Sequence, residues 1–205
     1  MPVNQTGKVQ TNPKRGSVAA CSMTGIVPVT FKELWSKFAS GPPPYQVNGS
    51  APKGFENQCA IRMSKTLHNV GVKMSTFSQN NIKPEGKAAT LGRILLNGMP
   101  TATRANEMAK WLDTRPVCGI AAKQVITGPN WKDKINGRTG IIFFGEYWER
   151  DGEDEGNVSG GHIDLWNKTR ITGTGSYFRI QWGIVINGIW SDFSKSKRIW
   201  FYEVK

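Results

Sequence analysis

The chain has 205 residues and a mass of 22.7 kDa, enough to bury a core, with 38% of residues hydrophobic and 20% charged. No run approaches the roughly eighteen apolar residues of a spanning helix, and heptads, collagen triplets and fixed-period repeats are absent. Lys and Arg number 27 against 15 Asp and Glu, and the formal charge of +12 suits an anionic partner, either nucleic acid or an anionic cell surface.

Residues 1–24 are polar and aperiodic and predict a flexible tail; residues 25–205 are then a single domain. Val18-Ala19-Ala20-Cys21 superficially resembles a lipoprotein cleavage site. The segment before it carries Lys8, Lys14 and Arg15 and lacks the apolar stretch of a signal peptide, so any export is expected to use another route. Residues 29–39 predict a short amphipathic helix capped by Thr30, with Phe31, Leu34, Trp35 and Phe38 on one side. Gly41-Pro42-Pro43-Pro44 stops it. Ala60, Met63, Leu67 and Val70 mark one face of a second helix, with Asn57 as its N-cap, Gly71 as its end and Cys59 in its first turn. Residues 75–87 read as loop, and residues 90–96 fit strand or helix equally. Residues 103–112 form a third helix with Ala105, Met108, Ala109, Trp111 and Leu112 on its apolar side.

After Pro116 the pattern changes to strands, at residues 139–146, 161–166, 169–174, 178–189 and 198–204, with an acidic loop at 149–155. Helices first and strands later predict an α+β fold, N-terminal helices packed on a mostly antiparallel β-sheet.

Only two histidines are present, His68 and His162. His68 lies nine positions after Cys59 on the same predicted helix. At ~1.5 Å per residue that is roughly 13 Å, too far for the two to share a proton. His68 is therefore expected to be an ordinary surface residue. His162 sits on a predicted strand after Gly160-Gly161, whose missing side chains would let a ligand approach. A Cys in the first turn of a helix has the positive end of the macrodipole beside it, which favours an anionic sulfur. A His on a facing strand can take the proton, and a third polar group can orient the ring. Two unrelated structural residues would carry the same spacing.

Two motifs decide between these. Phe55-Glu56-Asn57-Gln58-Cys59-Ala60-Ile61-Arg62-Met63-Ser64, with Gly161-His162-Ile163-Asp164-Leu165-Trp166-Asn167 about a hundred residues later, resembles the fourth family of type VI secretion amidase effectors. These are NlpC-type, papain-like cysteine peptidases of peptidoglycan. Weaker likeness appears around Met108-Ala109-Lys110-Trp111-Leu112, along residues 140–144 and at Ile199-Trp200-Phe201, so that residues 29–205 are covered.

The resemblance implies a papain-like fold, Cys59 as nucleophile and His162 as general base. It also implies cleavage between D-glutamate, through its γ-carboxyl, and meso-diaminopimelate in a stem peptide. No metal or organic cofactor is implied. The partners implied are the stem-peptide substrate, a cognate immunity protein and the type VI secretion apparatus. Synthesis is then cytoplasmic, export needs no signal peptide, and action is in the periplasm of a rival cell. Nucleic-acid binding and membrane insertion are not expected. Some members carry an Asp about eleven residues after the His, a position that falls near Gly173 here. Asp164 is the third-member candidate, although same-face strand neighbours project in parallel, and Thr172 and Thr174 are the alternatives.

The Cys59 backbone N–H is the natural oxyanion donor, Tyr45 is a candidate second, and Arg62 and Ser64 read as structural. Asn57 and Gln58 either cap the helix or line the site. Cys21 and Cys118 can pair in an oxidising compartment or stand as two independent thiols. Two other functions fit parts of the sequence. A basic nucleic-acid-binding module would use the charge and the aromatics among Lys195, Lys197, Arg198, Trp200 and Tyr202. A Cys-His hydrolase could act on another amide or ester.

Overall fold

A computed structural model describes residues 21, 27–146, 161–173, 193 and 196–205. The elements in chain order are α1 (Phe31–Ser36), α2 (Cys59–Asn69), β1 (Arg93–Leu96), β2 (Met99–Ala102), α3 (Ala105–Asp113), β3 (Ile120–Val125), α4 (Trp131–Ile135), β4 (Thr139–Gly145), β5 (Gly161–Asn167), β6 (Arg170–Ile171) and β7 (Arg198–Val204). β1 and β2 form a hairpin, and the other strands form a five-stranded sheet in the order β3-β7-β4-β5-β6, antiparallel at every pairing. The α+β class and the antiparallel sheet are as expected. Most of the predicted tail, the acidic loop and the strand at 178–189 lie outside the described residues.

α1 starts where the sequence placed its cap. The Thr30 side chain accepts from the Glu33 N–H, and the Glu33 carboxylate takes the Thr30 N–H in return. α2 starts one residue later than expected: its N-cap is Gln58, and Asn57 instead accepts weakly from the Cys59 N–H at 3.4 Å. Gly71 follows the C-cap with φ +90°, a left-handed position that suits glycine. The ambiguous segment at 90–96 contributes β1. Asn97 and Gly98, with φ 52° and 76°, make the two-residue turn into β2.

Alternate residues of the sheet serve two cores. Ile141, Phe143, Ile163, Leu165, Tyr202 and Val204 pack with residues of α2 and α3. Ile142, Phe144, Trp166, Phe201 and Ile199 pack with Trp131 and Ile135 of α4. The fully buried aromatic and aliphatic side chains each contribute about 1.5–3 kcal/mol by leaving water. Polar links fix the layers. Tyr202 donates its hydroxyl to the Ala109 carbonyl of α3 at 2.7 Å, and Trp166 donates its indole N–H to Ile135 of α4 at 3.0 Å. Glu107, fully buried, accepts from Gly92 N, Glu85 N and Arg104, which pins the loop before β1 onto α3.

His68 departs from the surface role expected of it. It is buried, and its Nε2 lies 3.0 Å from the Pro100 carbonyl of β2. α2 is a central helix, buried at Ala60, Ile61, Met63, Ser64, Thr66, Leu67 and His68, so a one-sided apolar stripe understates what it buries. Desolvation, with Lys65 adding to it, holds the His68 imidazole below its ordinary value against the opposing Pro100 bond. Cys21 and Cys118 are joined as a disulfide with Cα atoms 5.3 Å apart, and Cys59 is a free thiol.

Candidate active site

β6 pairs with β5 only at Trp166 and Asn167, so the first half of β5 has no strand neighbour on that side among the described residues. The start of α2 lies against this stretch. The Cys59 thiol points to the Gly161 carbonyl, Sγ to O 3.8 Å, and also hydrogen-bonds the His162 imidazole. Two segments 102 positions apart in sequence are thus closed into one site.

His162 Nε2 meets Asp164 Oδ2 at 3.3 Å. Asp164 is buried, and its second oxygen, Oδ1, accepts from the Leu165 N–H at 2.7 Å and the Thr172 hydroxyl at 2.6 Å. Phe193 stacks on the imidazole, ring centres 5.1 Å apart at 23°. Burial works against a charged imidazole here, but the hydrogen bonds and charges of Asp164 and Cys59 outweigh it and raise His162 to about 9.

The site residues expected from the sequence therefore converge: Cys59 at the α2 start, His162 and Asp164 on β5. Of the two alternatives for the third group, Thr172 contacts Asp164 rather than the ring, and Thr174 lies outside the described residues. Chemically, the arrangement offers a sulfur nucleophile, a base beside it and a carboxylate behind the base.

A family description, type VI secretion system amidase effector protein 4 (Tae4), matches residues 55–202. The chain belongs to this family. It is a type VI secretion amidase effector, as the resemblance implied. Solved structures similar to it include the Tae4–Tai4 effector–immunity complex from Enterobacter cloacae, at 21% identity over 87% of this chain and 100% of that one, TM-score 0.49. Tae4 from Enterobacter cloacae alone matches at 20% identity over 89% and 100%, TM-score 0.48. Tae4 from Salmonella typhimurium, in complex with Tai4 from Enterobacter cloacae, matches at 17% identity over 85% and 98%, TM-score 0.47. No curated protein matched the chain.

The neighbours of this effector's Cys59 separate into framework and site. Gln58 uses both ends of its amide on the Tyr45 backbone: Oε1 accepts from Tyr45 N at 3.0 Å and Nε2 donates to Tyr45 O at 2.7 Å. It fastens the preceding loop to α2, and the Tyr45 N–H is thereby committed. The Tyr45 ring packs edge-on to Phe55. Arg62 donates to the carbonyls of Ala39 and Gly41, both at 2.7 Å, and buried Ser64 accepts from Ala102 N at 3.1 Å, the structural roles expected of them.

Gly161 has a different reason from the ligand approach expected of it. A Cβ there would lie 2.5 Å from Asn106 Oδ1 and 3.2 Å from the Ala105 Cβ, so the glycine lets α3 close on β5. Phe193 and the Gly161 carbonyl carried no sequence signal: one stands far from both motifs, and the other is backbone.

The aromatics of β7 are engaged within the fold. Tyr202 and Phe201 are fully buried, while Trp200 packs on Phe143 with Lys123 4.5 Å and Arg198 5.6 Å from its ring centre.

Proposed function

We propose that the chain is a cysteine amidase that hydrolyses the γ-D-glutamyl–meso-diaminopimelate bond of peptidoglycan stem peptides. The observation that carries the reading is the hydrogen-bonded series from Cys59 through His162 to Asp164, assembled from two segments a hundred residues apart. Membership of the amidase effector family supports the substrate class.

In this mechanism the Cys59 proton passes to His162, and the sulfur attacks the γ-carbonyl carbon of glutamate. A C–S bond forms and the carbonyl becomes an oxyanion, which the Cys59 N–H at the start of α2 can receive once it leaves its long bond to Asn57. The intermediate collapses with cleavage of the C–N bond, and the diaminopimelate amine leaves with the proton from His162. The glutamyl group remains as a thioester. Water, giving its proton to His162, then attacks the thioester; the C–S bond breaks, the γ-carboxylate departs and Cys59 recovers its proton. Asp164 keeps the imidazole oriented and offsets its positive charge throughout.

The same reading makes residues 25–205 one catalytic domain, exported by the type VI apparatus and active in a recipient's periplasm. The net charge of +12 would favour the anionic wall. A cognate immunity protein would protect the producer by covering the cleft at Cys59.

Purified sacculi incubated with the wild type should release peptides ending in a diaminopimelate amine and leave glutamate with a free γ-carboxyl, as read by liquid chromatography and mass spectrometry. Cys59→Ala and His162→Ala should lower the rate at least ~10³-fold. Intact sacculi after wild-type digestion, or equal cutting by Cys59→Ala, would remove the proposal.

A further inference from the structure

We propose that Thr172 is a positioning residue of the site: its hydroxyl fixes the Asp164 carboxylate so that one oxygen is kept for His162. The proposal rests on the assignment of Cys59 and His162 above. Side chains two apart on a strand project in parallel, and the terminal torsion of an Asp is soft, so nothing intrinsic aims Asp164 at the ring. The fold supplies the aim. The pairing of Trp166 with Ile171 sets the register of the β5–β6 hairpin, and Thr172 is the next residue. Its hydroxyl reaches Oδ1 at 2.6 Å, and the Leu165 N–H reaches the same oxygen at 2.7 Å. Both of these donors hold one oxygen, while the other, Oδ2, faces His162 Nε2 at 3.3 Å. With Asp164 only 5% exposed, water is a poor substitute for a lost donor, and the carboxylate would turn to recover one. Thr172 itself contacts the carboxylate and not the sulfur, so it acts through Asp164.

Thr172→Val removes the hydroxyl at nearly constant shape, and Thr172→Ser restores it. Among the described residues, the ionisable groups that act on His162 are Cys59 from α2 and Asp164 from β5, and Thr172 is neutral, so a pH effect of its variants passes through Asp164. Two readouts are used. On sacculi, Thr172→Val should lower kcat ~10-fold with KM within about twofold, and Thr172→Ser should recover to within about threefold of wild type. Alkylation of Cys59 by iodoacetamide, followed by mass spectrometry, needs no substrate and reads one thiol, since the other two cysteines are paired. In Thr172→Val the rise of alkylation rate should move to higher pH, because a less firmly held imidazolium draws the proton less strongly from the sulfur.

An unchanged kcat and alkylation profile in Thr172→Val would overturn the proposal, as would a loss that Thr172→Ser fails to restore. If Thr172→Val does not fold, Thr172→Ala gives the same comparison below its melting temperature. Should wild type leave sacculi uncut while the alkylation profile still shifts and returns, the hydrolase reading fails and the positioning role stands.

Discussion

Three kinds of neighbour surround the His162 imidazole: a thiol from α2, a carboxylate from its own strand and the stacked ring of Phe193. Burial alone would strip its proton, yet the thiol and carboxylate lift it to about 9. A raised histidine contributes stability that is complete below its ordinary value of about 6.5 and is lost as pH rises through the folded value. In the proposed mechanism this proton is also the one handed to the leaving amine. The alkaline limb of kcat/KM should therefore fall near pH 9, and in Asp164→Asn it should move to lower pH. A pH–rate profile of both proteins checks this; a limb unmoved by the substitution would show that the carboxylate does not act on the ring. At this scale the sequence was informative about Cys59 and His162, because so few residues could do the chemistry. It was ambiguous about Asp164, since the contact depends on donors that the β5–β6 hairpin brings to its other oxygen.

Elements with one apolar face, or with two, were readable from pattern. β7 coincides with the expected residues 198–204, β4 differs by one residue at its end, and α2 appears from the apolar face of Ala60, Met63, Leu67 and Val70. β3 was not assigned, because Ala121, Ala122, Lys123 and Gln124 carry neither alternation nor bulk; its partner β7 and a bulge between Ile120 and Lys123 decide its form. α4, at five residues, is too short for a period to register. The β1–β2 hairpin did carry a signal, Asn97-Gly98, which identifies the turn but not the strands on either side of it. α3 closes tightly on β5 at Gly161. Gly161→Ala should cost about 1–3 kcal/mol by overpacking and lower amidase activity, because the Cys59 and His162 contacts begin at this residue. Asn106→Ala in the same chain removes the nearer obstacle, 2.5 Å away, and should restore part of both losses. Denaturant midpoints and rates for the two single variants and the double variant read the coupling. Strict additivity would place the cause elsewhere.

Two cores lie on opposite faces of one sheet, with the candidate site at the start of β5. The segment leading into α1 is tied to the rest of the fold: Phe31 N donates to Lys205 O at 2.8 Å and Val29 N to Cys118 O at 2.9 Å. The Val29 backbone passes so near Gly119, φ +97°, that a Cβ there would meet its carbonyl at 2.2 Å. The adjoining Cys118 is the anchor of the disulfide, whose partners are 97 positions apart. Closing so long a loop is worth about 4–5 kcal/mol in the chain-entropy account. Treatment with dithiothreitol should therefore lower the melting temperature by about 8–20 °C, at ~2–4 °C for each kcal/mol lost in a chain of this size, and Cys118→Ser should abolish that difference. An identical melting curve with and without reductant would show that the linkage bears no load.

The consequence bears on the proposed route from a producing cell to a recipient's envelope. Glutathione in a bacterial interior keeps such sulfurs apart, whereas an envelope space joins them. On that route the chain would be more easily unravelled in the cell that ships it than in the space it is sent to.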